Sequence, residues 1–434
     1  MKLNRDQLAQ KLTLELGADA VIDQPGPRAA HTVDGKEPTL LCFPEIPEQV
    51  AAVLRVCSEA EAAVTPWGGG TTIGLGNPPP RVDVIIGLHR LNGLIEHDHA
   101  NLTATVQAGM SLAALQQRLS EQNQFLAFDP PFPKRATPGG VIATNLNGPR
   151  RMSYGSVRDL VIGVRVVLAS GEQIKGGGKV VKNVAGYDMC KLFVGSLGTL
   201  GIITEVTLRM APIPESAGTL LVSGPLREAV AFLDQLYHST LNLTAIVCLN
   251  AAARPLANSR EEWTVAVSSE GFEQTVSRHL IDVQTIAEKK GLTHERLHGD
   301  AQGQFWDEIR DIPLRPGSLV YRINAPRTAL GEIANTVQAD QSREFSPTIV
   351  ADAGAGTLWA ISTPHQAAAE RFSQLTSLVR KHKGCVIMFA APPVLKTNTD
   401  IWGPLPDAFF IMQEIKRQFD PSNLLNPGRF VGAI

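Results

Sequence analysis

Up to residue 214 the apolar positions come mostly in short, strand-like runs; beyond 216 such runs alternate with longer helical ones. Residues 4–16 read as a short amphipathic helix and residues 23–38 as a linker rich in proline and polar side chains. LLCFP (40–44) reads as a short strand that stops at proline. Val50, Val53, Leu54 and Cys57 then recur at helical spacing, with Pro47 in the first turn, where its missing N–H costs nothing. VDVIIGL (82–88) predicts a buried strand. Residues 92–110 predict two strands joined by a polar turn, because Thr103, Thr105 and Gln107 alternate with apolar neighbours. Ser111 is a good N-cap for a helix reaching residue 122. Residues 125–140 read as extended and broken by prolines, with ATNLNG (143–148) as a loop. Residues 160–170 read as a strand pair around Gly163, and 188–197 as a short helix.

From residue 217 the order is strand, helix, strand, in two rounds: TLLVSG, REAVAFLDQLYHS, LTAIVCLN, WTVAVSSEG and TVSRHLIDVQTIAEKK, then LVYRINA, ALGEIANTVQ, TIVADAGAGTLWAIS, AAAERFSQLTSLVRKHKG and CVIMFAAP. That alternation predicts an α+β unit with helices on one face of an antiparallel sheet. A helix over 407–419 and the segment FDPSNLLNPGRF follow. A chain of 434 residues corresponds to about three domains at ~150 residues each.

Glycine is concentrated in two places, VTPWGGGTTIGLG (64–76) and the long stretch 137–205. Glycine carries the largest entropy cost on folding, so its repeated use at turns points to backbone held close to something, or to φ > 0. A large, flat, partly anionic cofactor suits such turns: clustered N–H groups meet phosphate, and small side chains let a ring lie against the chain. The asparagine amides of ATNLNG would serve as donors to a carbonyl-rich ring. The GGG run is not a Walker A loop, since no Gly-Lys-Ser/Thr ends it, and its spacing is not the dinucleotide fingerprint. Taken alone, it reads equally as a flexible surface loop.

Composition narrows the classes. Hydrophobic content of 44% and charged content of 19% are ordinary for a globular chain. A net charge of −2 without basic tails removes the electrostatic case for nucleic acid. Cys42, Cys57, Cys190, Cys248 and Cys385 are scattered singly, with no CxxC; this argues against an iron–sulfur or zinc site within the chain and against a disulfide framework. The first 21 residues lack the apolar core of a signal peptide, and no apolar run is long enough to span a bilayer. A cytoplasmic protein without direct membrane insertion is expected, membrane-associated at most through partners.

The ordered set WGGGTTIGLG, FDPPFP–TPGGVIATNLNG, YGSVRDLVIGVRVVLASGE, GYDMCKLFVGSLGTLGIITEVTL and FDPSNLLNPGRF resembles the FAD-linked oxidases of the vanillyl-alcohol oxidase family. Within it, the set is most similar to the FAD-binding E subunits of bacterial glycolate oxidases. The resemblance covers roughly residues 38–214 plus the terminal segment. It implies an α+β fold: a two-lobed PCMH-type FAD-binding domain (37–215), after an N-terminal helix and linker (1–36), and an α+β cap domain with an antiparallel sheet (216–434) whose end returns to the flavin domain. By position, Pro66, Trp67, Gly68, Gly69, Gly70, Thr71 and Thr72 would cradle the pyrophosphate. Thr137, Pro138, Gly139, Gly140, Ala143, Thr144 and Asn145 would line the flavin, and Gly201, Ile202, Ile203 and Thr204 would meet it again. Some members attach FAD through a histidine near the glycine loop; TPWGGGTT has neither His nor Cys, so non-covalent FAD is expected.

The resembling 2-hydroxy acid dehydrogenases carry a His- and Glu-rich metal site in the cap. This chain departs from them: His279, His294, His298, His365 and His382 stand in unrelated contexts and read as solvated surface residues, so no metal is expected. FWDEIR (305–310) resembles the family's tryptophan–arginine motif, in which Arg310 would hold a substrate carboxylate by a bidentate pair. It reads equally as an ion pair with Asp307 or Asp311. The resemblance implies a subunit that oxidises glycolate to glyoxylate beside a sister FAD-binding glycolate oxidase subunit and an iron–sulfur subunit. The alternatives are a stand-alone D-2-hydroxy acid dehydrogenase of the D-lactate type and a non-catalytic flavin-fold scaffold. No catalytic base is evident, so the chain alone is expected to hold FAD yet oxidise 2-hydroxy acids poorly.

Overall fold

The computed structural model describes residues 4–178, 188–253, 263–339 and 347–434. Residues 179–187 of the glycine-rich stretch lie outside them. Among the described residues the strands form four sheets. The first runs in the order Val21–Ile22, Leu40–Cys42, Val84–Gly87, Val64–Trp67, and its last three strands are parallel. Parallel neighbours need a crossover, which the helix Pro47–Glu59 supplies after Leu40–Cys42. Its Val50, Val53, Leu54 and Cys57 join Leu40, Val64, Val84 and Ile86 in one buried cluster. The expected linker at 23–38 contains a short helix, Pro25–Ala30, begun by proline.

The second sheet is antiparallel, in the order Leu94–Asp98, Thr103–Gln107, Ile202–Arg209, Val161–Val167, Gln173–Gly177. The two strands expected within 92–110 are there, and so is the helix begun by Ser111, whose Oγ accepts from Ala114 N at 3.2 Å. Val161–Val167 is a single strand rather than a pair: Gly163 lies inside it, opposite Gly177 and Thr207. A Cβ there would stand 3.1 Å from the Thr207 side chain, so this glycine marks close cross-strand packing, not a turn.

The TPGG segment, expected to be extended, begins the helix Pro138–Thr144. Thr137 is its N-cap, with Oγ1 accepting from Gly140 N at 3.2 Å, and proline occupies the first turn, where it starts helices instead of breaking them. Asn145 ends it in the left-handed conformation at φ 49°.

The large sheet is antiparallel throughout: Thr293–Leu297, Ser216–Gly224, Trp263–Gly271, Ala245–Asn250, Thr348–Asp352, Thr357–Ser362, Leu319–Asn324, Cys385–Ala390. Strand alternation gives it two faces. Gly218 meets Leu280 of the helix Glu273–Lys289, and Tyr321, in register on the same face, donates its hydroxyl to Ala368 O of the helix Ala368–Arg380. The helix Asp300–Asp311 lies on the opposite face, where Trp306 Nε1 donates to Thr219 Oγ1 at 2.9 Å. TIVADAGAGTLWAIS is not one strand but a hairpin that turns over 353–356.

The chain's last segment packs beside the first sheet. Val64 N donates to Leu424 O and Asn426 N to Val64 O, each at 2.8 Å. The helix Phe409–Phe419 is anchored below by buried Lys416, whose Nζ donates to Asp420 Oδ2 at 2.6 Å, Thr199 O at 2.9 Å and Leu425 O at 3.0 Å.

Candidate active site

One cleft gathers most of the expected cofactor residues. Its walls are the turn after Val64–Trp67 (Pro66, Trp67, Gly68, Gly69, Gly70, Thr71, Thr72), the capped helix (Thr137, Gly139, Gly140, Ala143, Thr144) and the start of Ile202–Arg209 (Gly201, Ile202, Ile203). Three expected residues stand outside the lining. Pro138 is buried in the helix's first turn, Asn145 is the exposed helix terminator, and Thr204 Oγ1 donates to Arg165 O at 3.3 Å. Ile73, Leu75, Leu88, Leu197, Gly198, Asn426 and Arg429 also line the cleft. The FDPSNLLNPGRF motif pointed to the last two only as a segment. The leucines carried no signal beyond hydrophobicity.

The glycines serve in a way the sequence did not indicate. A Cβ on Gly69 would lie 1.7 Å from Arg135 O, and one on Gly68 2.4 Å from Thr137 Oγ1. Within this run only Gly70 has positive φ, at 67°, and a Cβ there would meet the Trp67 ring. Gly68 and Gly69 therefore let the turn lie flat on the backbone of 135–137, and it is the turn as a whole that faces the cleft. The N–H groups of Gly68, Gly69, Gly70, Thr71 and Thr72 donate to no protein acceptor among the described residues. By contrast the Gly139 and Gly140 N–H groups are engaged, with Ala108 O at 3.0 Å and Thr137 Oγ1 at 3.2 Å. Donors open to an anion are thus gathered in the 68–72 turn and not at Gly139 and Gly140 of the helix.

Arg429 closes the far wall at 1% exposure. Its Nη2 donates to Ile73 O and Leu75 O, both at 2.5 Å, while its buried Nη1 has no partner. Burial pulls this guanidinium down to about 10, partly offset by Asp34. Asn426 donates Nδ2 to Leu197 O at 2.7 Å and leaves Oδ1 unpartnered. No carboxylate, histidine or cysteine is among the lining residues. Free N–H donors, one unmatched cation, an unmatched amide oxygen and an otherwise small or apolar surface fit a flat cofactor with anionic phosphates, and FAD has that chemistry.

A second pocket adjoins the first. Leu146, two residues past the capped helix, lines it and shares one apolar cluster with Leu75 and Leu197 of the cleft. Asp129, Asn147, Gly148 and Arg151 form one wall; Ile309 and Arg310 come from Asp300–Asp311; Val247, Arg322, Val350, Asp352, Thr357 and Trp359 come from the large sheet. Arg310 therefore sits here and not at the flavin cleft. It makes the ion pairs of the alternative reading: its Nε donates to Asp311 Oδ1 at 2.9 Å and its Nη1 to the exposed Asp307 Oδ1 at 2.7 Å, while its own side chain is 14% exposed. Asp311 Oδ1 also accepts from Phe132 N at 3.0 Å, so this pair fixes the loop beside Asp129. Arg322 lies over the Trp359 ring, 5.4 Å from its centroid, with Nε unpartnered. Burial, followed by the charge of Arg151, lowers it to about 10. Sequence reading missed Arg151, Arg322 and Asp352, since they lie on three separate segments and none belongs to a motif of the others' chemistry.

Among the described residues no three His, Cys, Asp or Glu side chains group as a metal site. His279 differs from the expected solvated residue: at 8% exposure its Nδ1 pairs with Ser269 Oγ at 2.9 Å, because it lies on the sheet-facing side of Glu273–Lys289. All five cysteines are free, and burial pushes Cys42 and Cys248 up to about 12. No helix of the described residues is long and apolar enough to cross a membrane.

A family profile described as FAD binding domain matches residues 38–177. The chain is 30% identical to the glycolate oxidase subunit GlcD of Bacillus subtilis (strain 168), over 90% of this chain and 88% of that protein. It is 28% identical to the glycolate oxidase subunit GlcE of Escherichia coli (strain K12), over 87% and 96%. A structure of p-cresol methylhydroxylase with substrate bound superposes with a TM-score of 0.76 at 18% identity, covering 98% of this chain and 96% of that one, which shows the shared fold. On this match along nearly its whole length, and with a cleft whose donors suit the cofactor, the chain belongs to the FAD-linked oxidases of the vanillyl-alcohol oxidase family, with the PCMH-type fold.

Proposed function

We propose that the chain is an FAD-dependent 2-hydroxy acid oxidoreductase, the FAD-binding subunit of a cytoplasmic glycolate oxidase complex. It would oxidise glycolate to glyoxylate and pass electrons on through a sister flavoprotein and an iron–sulfur subunit. The observation that carries this reading is the pairing of an N–H-rich cleft with an arginine-bearing pocket. The 68–72 turn would hold the pyrophosphate, with Thr137, Gly139, Gly140, Ala143, Thr144 and 201–203 against the rings. FAD, when bound, supplies the two-electron oxidant. Arg322 and Arg151, with Arg310 at their side, would orient a substrate carboxylate. Residues 37–215, with the returning terminal segment that carries Asn426 and Arg429, would hold the cofactor, and the rest of 216–434 would cover the substrate. A scaffold role would give five backbone donors nothing to do. A stand-alone dehydrogenase gains support from the pocket's own buried carboxylates.

The test is anaerobic bleaching of the bound flavin by glycolate and by D-lactate, with the isolated chain and again with its partners. Bleaching by the chain alone, with steady turnover only after partners are added, is expected; no bleaching in either preparation would sink the reading. Acid precipitation should release all flavin into the supernatant, because no histidine or cysteine lines the cleft. Yellow colour left on the pellet would contradict that. Arg310→Ala should weaken substrate binding about 10- to 100-fold, the loss of one charge-assisted contact. Were Arg310 serving only Asp307 and Asp311, kinetics would hold and stability would change by about 1 kcal/mol or less.

A further inference from the structure

The buried acids among the described residues differ in how they are held. Asp34 and Asp420 are each neutralised by a buried lysine, Lys396 at 2.5 Å and Lys416 at 2.6 Å. Asp352 is as well buried, at 6% exposure, yet no salt bridge holds it among the described residues. Its Oδ1 accepts from Ala355 N at 3.1 Å in the hairpin turn, a bond that an amide oxygen could equally accept.

Register explains where it points. Asp352 pairs with Val247 and Thr357, Val350 with Trp359, and Trp359 with Arg322. These residues share the sheet face away from Ala368–Arg380, and they line the second pocket together. The pocket therefore offers a cation for a carboxylate, Arg322, and on the same face, two strands over and two residues along, an acid that no salt bridge holds among the described residues and whose opposing charge is Arg151. Oxidising a 2-hydroxy acid needs both, because the hydroxyl proton must leave as the carbon loses its hydrogen.

Resting on the oxidoreductase reading above, we propose that Asp352 is the proton acceptor for the substrate hydroxyl. The O–H bond breaks and its proton passes to the Asp352 carboxylate. The O–H electron pair becomes the second C–O bond. The Cα–H bond breaks, and the hydrogen leaves with both electrons to the flavin, the two-electron oxidant. A 2-oxo acid and a protonated Asp352 remain.

Electrostatics agrees with the geometry. Burial is the largest influence on Asp352 and raises it to about 7, with Arg151 opposing and Asp129 adding to the rise. The other groups facing it are Arg322 on a neighbouring part of the sheet and Tyr237, whose hydroxyl donates to Ala353 O at 2.8 Å. Asp129, the pocket's other acid, is also raised by burial, but Arg150 and Arg310 stand against it.

Asp352→Asn keeps the turn's acceptor and should fold. In FAD-loaded protein, anaerobic flavin reduction at saturating glycolate or D-lactate should slow by about 10²–10⁴-fold, with substrate affinity changed less than about threefold. Wild-type reduction should fall as pH drops below about 7, and the variant should lack that acid limb. Asp129→Asn should keep it. Independently of turnover, infrared difference titration should show a buried carboxyl protonating near neutral pH in wild type and not in Asp352→Asn. Equal rates and pH profiles in wild type and Asp352→Asn, loss of the limb in Asp129→Asn instead, or no such infrared band would each overturn the proposal while leaving the function intact. Wild-type flavin that no 2-hydroxy acid bleaches would overturn the oxidoreductase reading, and this proposal with it.

Discussion

Gly69→Val should purify colourless. A valine Cβ would stand 1.7 Å from Arg135 O and 2.5 Å from Arg135 C, both main-chain atoms that cannot step aside like a side-chain tip. The turn must then lift off residues 135–136, and the free N–H groups of 68–72 move with it. Each charge-assisted bond from such a donor to phosphate is worth roughly 1.5–3 kcal/mol, so losing two should weaken FAD by at least about a hundredfold. Gly74→Ala is the control, since nothing lies within 4 Å of its added methyl and its φ is not positive. Flavin content and FAD titration of the two apoproteins measure the difference. Wild-type affinity in Gly69→Val would mean that the turn does not set the phosphate donors.

Asp420→Ala should cost about 3–5 kcal/mol, the range for stranding one member of a buried ion pair. The carboxylate accepts Lys416 Nζ at 2.6 Å, Leu424 N at 2.9 Å and Leu425 N at 2.7 Å. Removing it leaves an ammonium held only by the carbonyls of Thr199 and Leu425, with two buried amides unmatched. Burial already lowers Lys416 against the opposing pull of Asp420, so the variant's lysine is driven further toward neutrality. Lys416→Met with Asp420→Asn, which removes both charges, should recover much of the loss. Urea unfolding of the single and double variants gives the comparison; equal stability of wild type and Asp420→Ala would show that the pair does not anchor the terminal segment.

How far these sites were legible depended on the kind of signal each residue gives. The cleft was readable because glycines and threonines form an ordered vocabulary, and the strands of the second sheet because Thr103, Thr105 and Gln107 alternate with apolar neighbours. Thr137–Pro138 was misread because proline breaks strands and begins helices, and only the N-cap bond from Gly140 N decides between the two. Gly163 was taken for a turn because a glycine needed for cross-strand contact looks the same in one dimension. The second pocket stayed hidden for a different reason. Asp129, Arg151, Arg310, Arg322 and Asp352 sit on five separate segments, so no window of sequence holds two groups of its chemistry apart from the Arg310 motif. A break at the glycines of ADAGAG would have revealed the hairpin and placed Asp352 at its strand end.

The terminal segment has a consequence for how the protein is made. Arg429 reaches back 356 and 354 residues to Ile73 O and Leu75 O, and Asn426 reaches back 229 residues to Leu197 O. At ~5–20 residues per second, the ribosome emits the glycine turn roughly 20–70 s before the wall opposite it exists. During that interval the nascent chain presents unsatisfied amides and an open apolar floor, which chaperones and proteases can find as readily as FAD can. If the cleft holds the cofactor, its loading would wait until residues 426–429 have been made, and a ribosome stalled before residue 426 should display a cleft that lacks this wall.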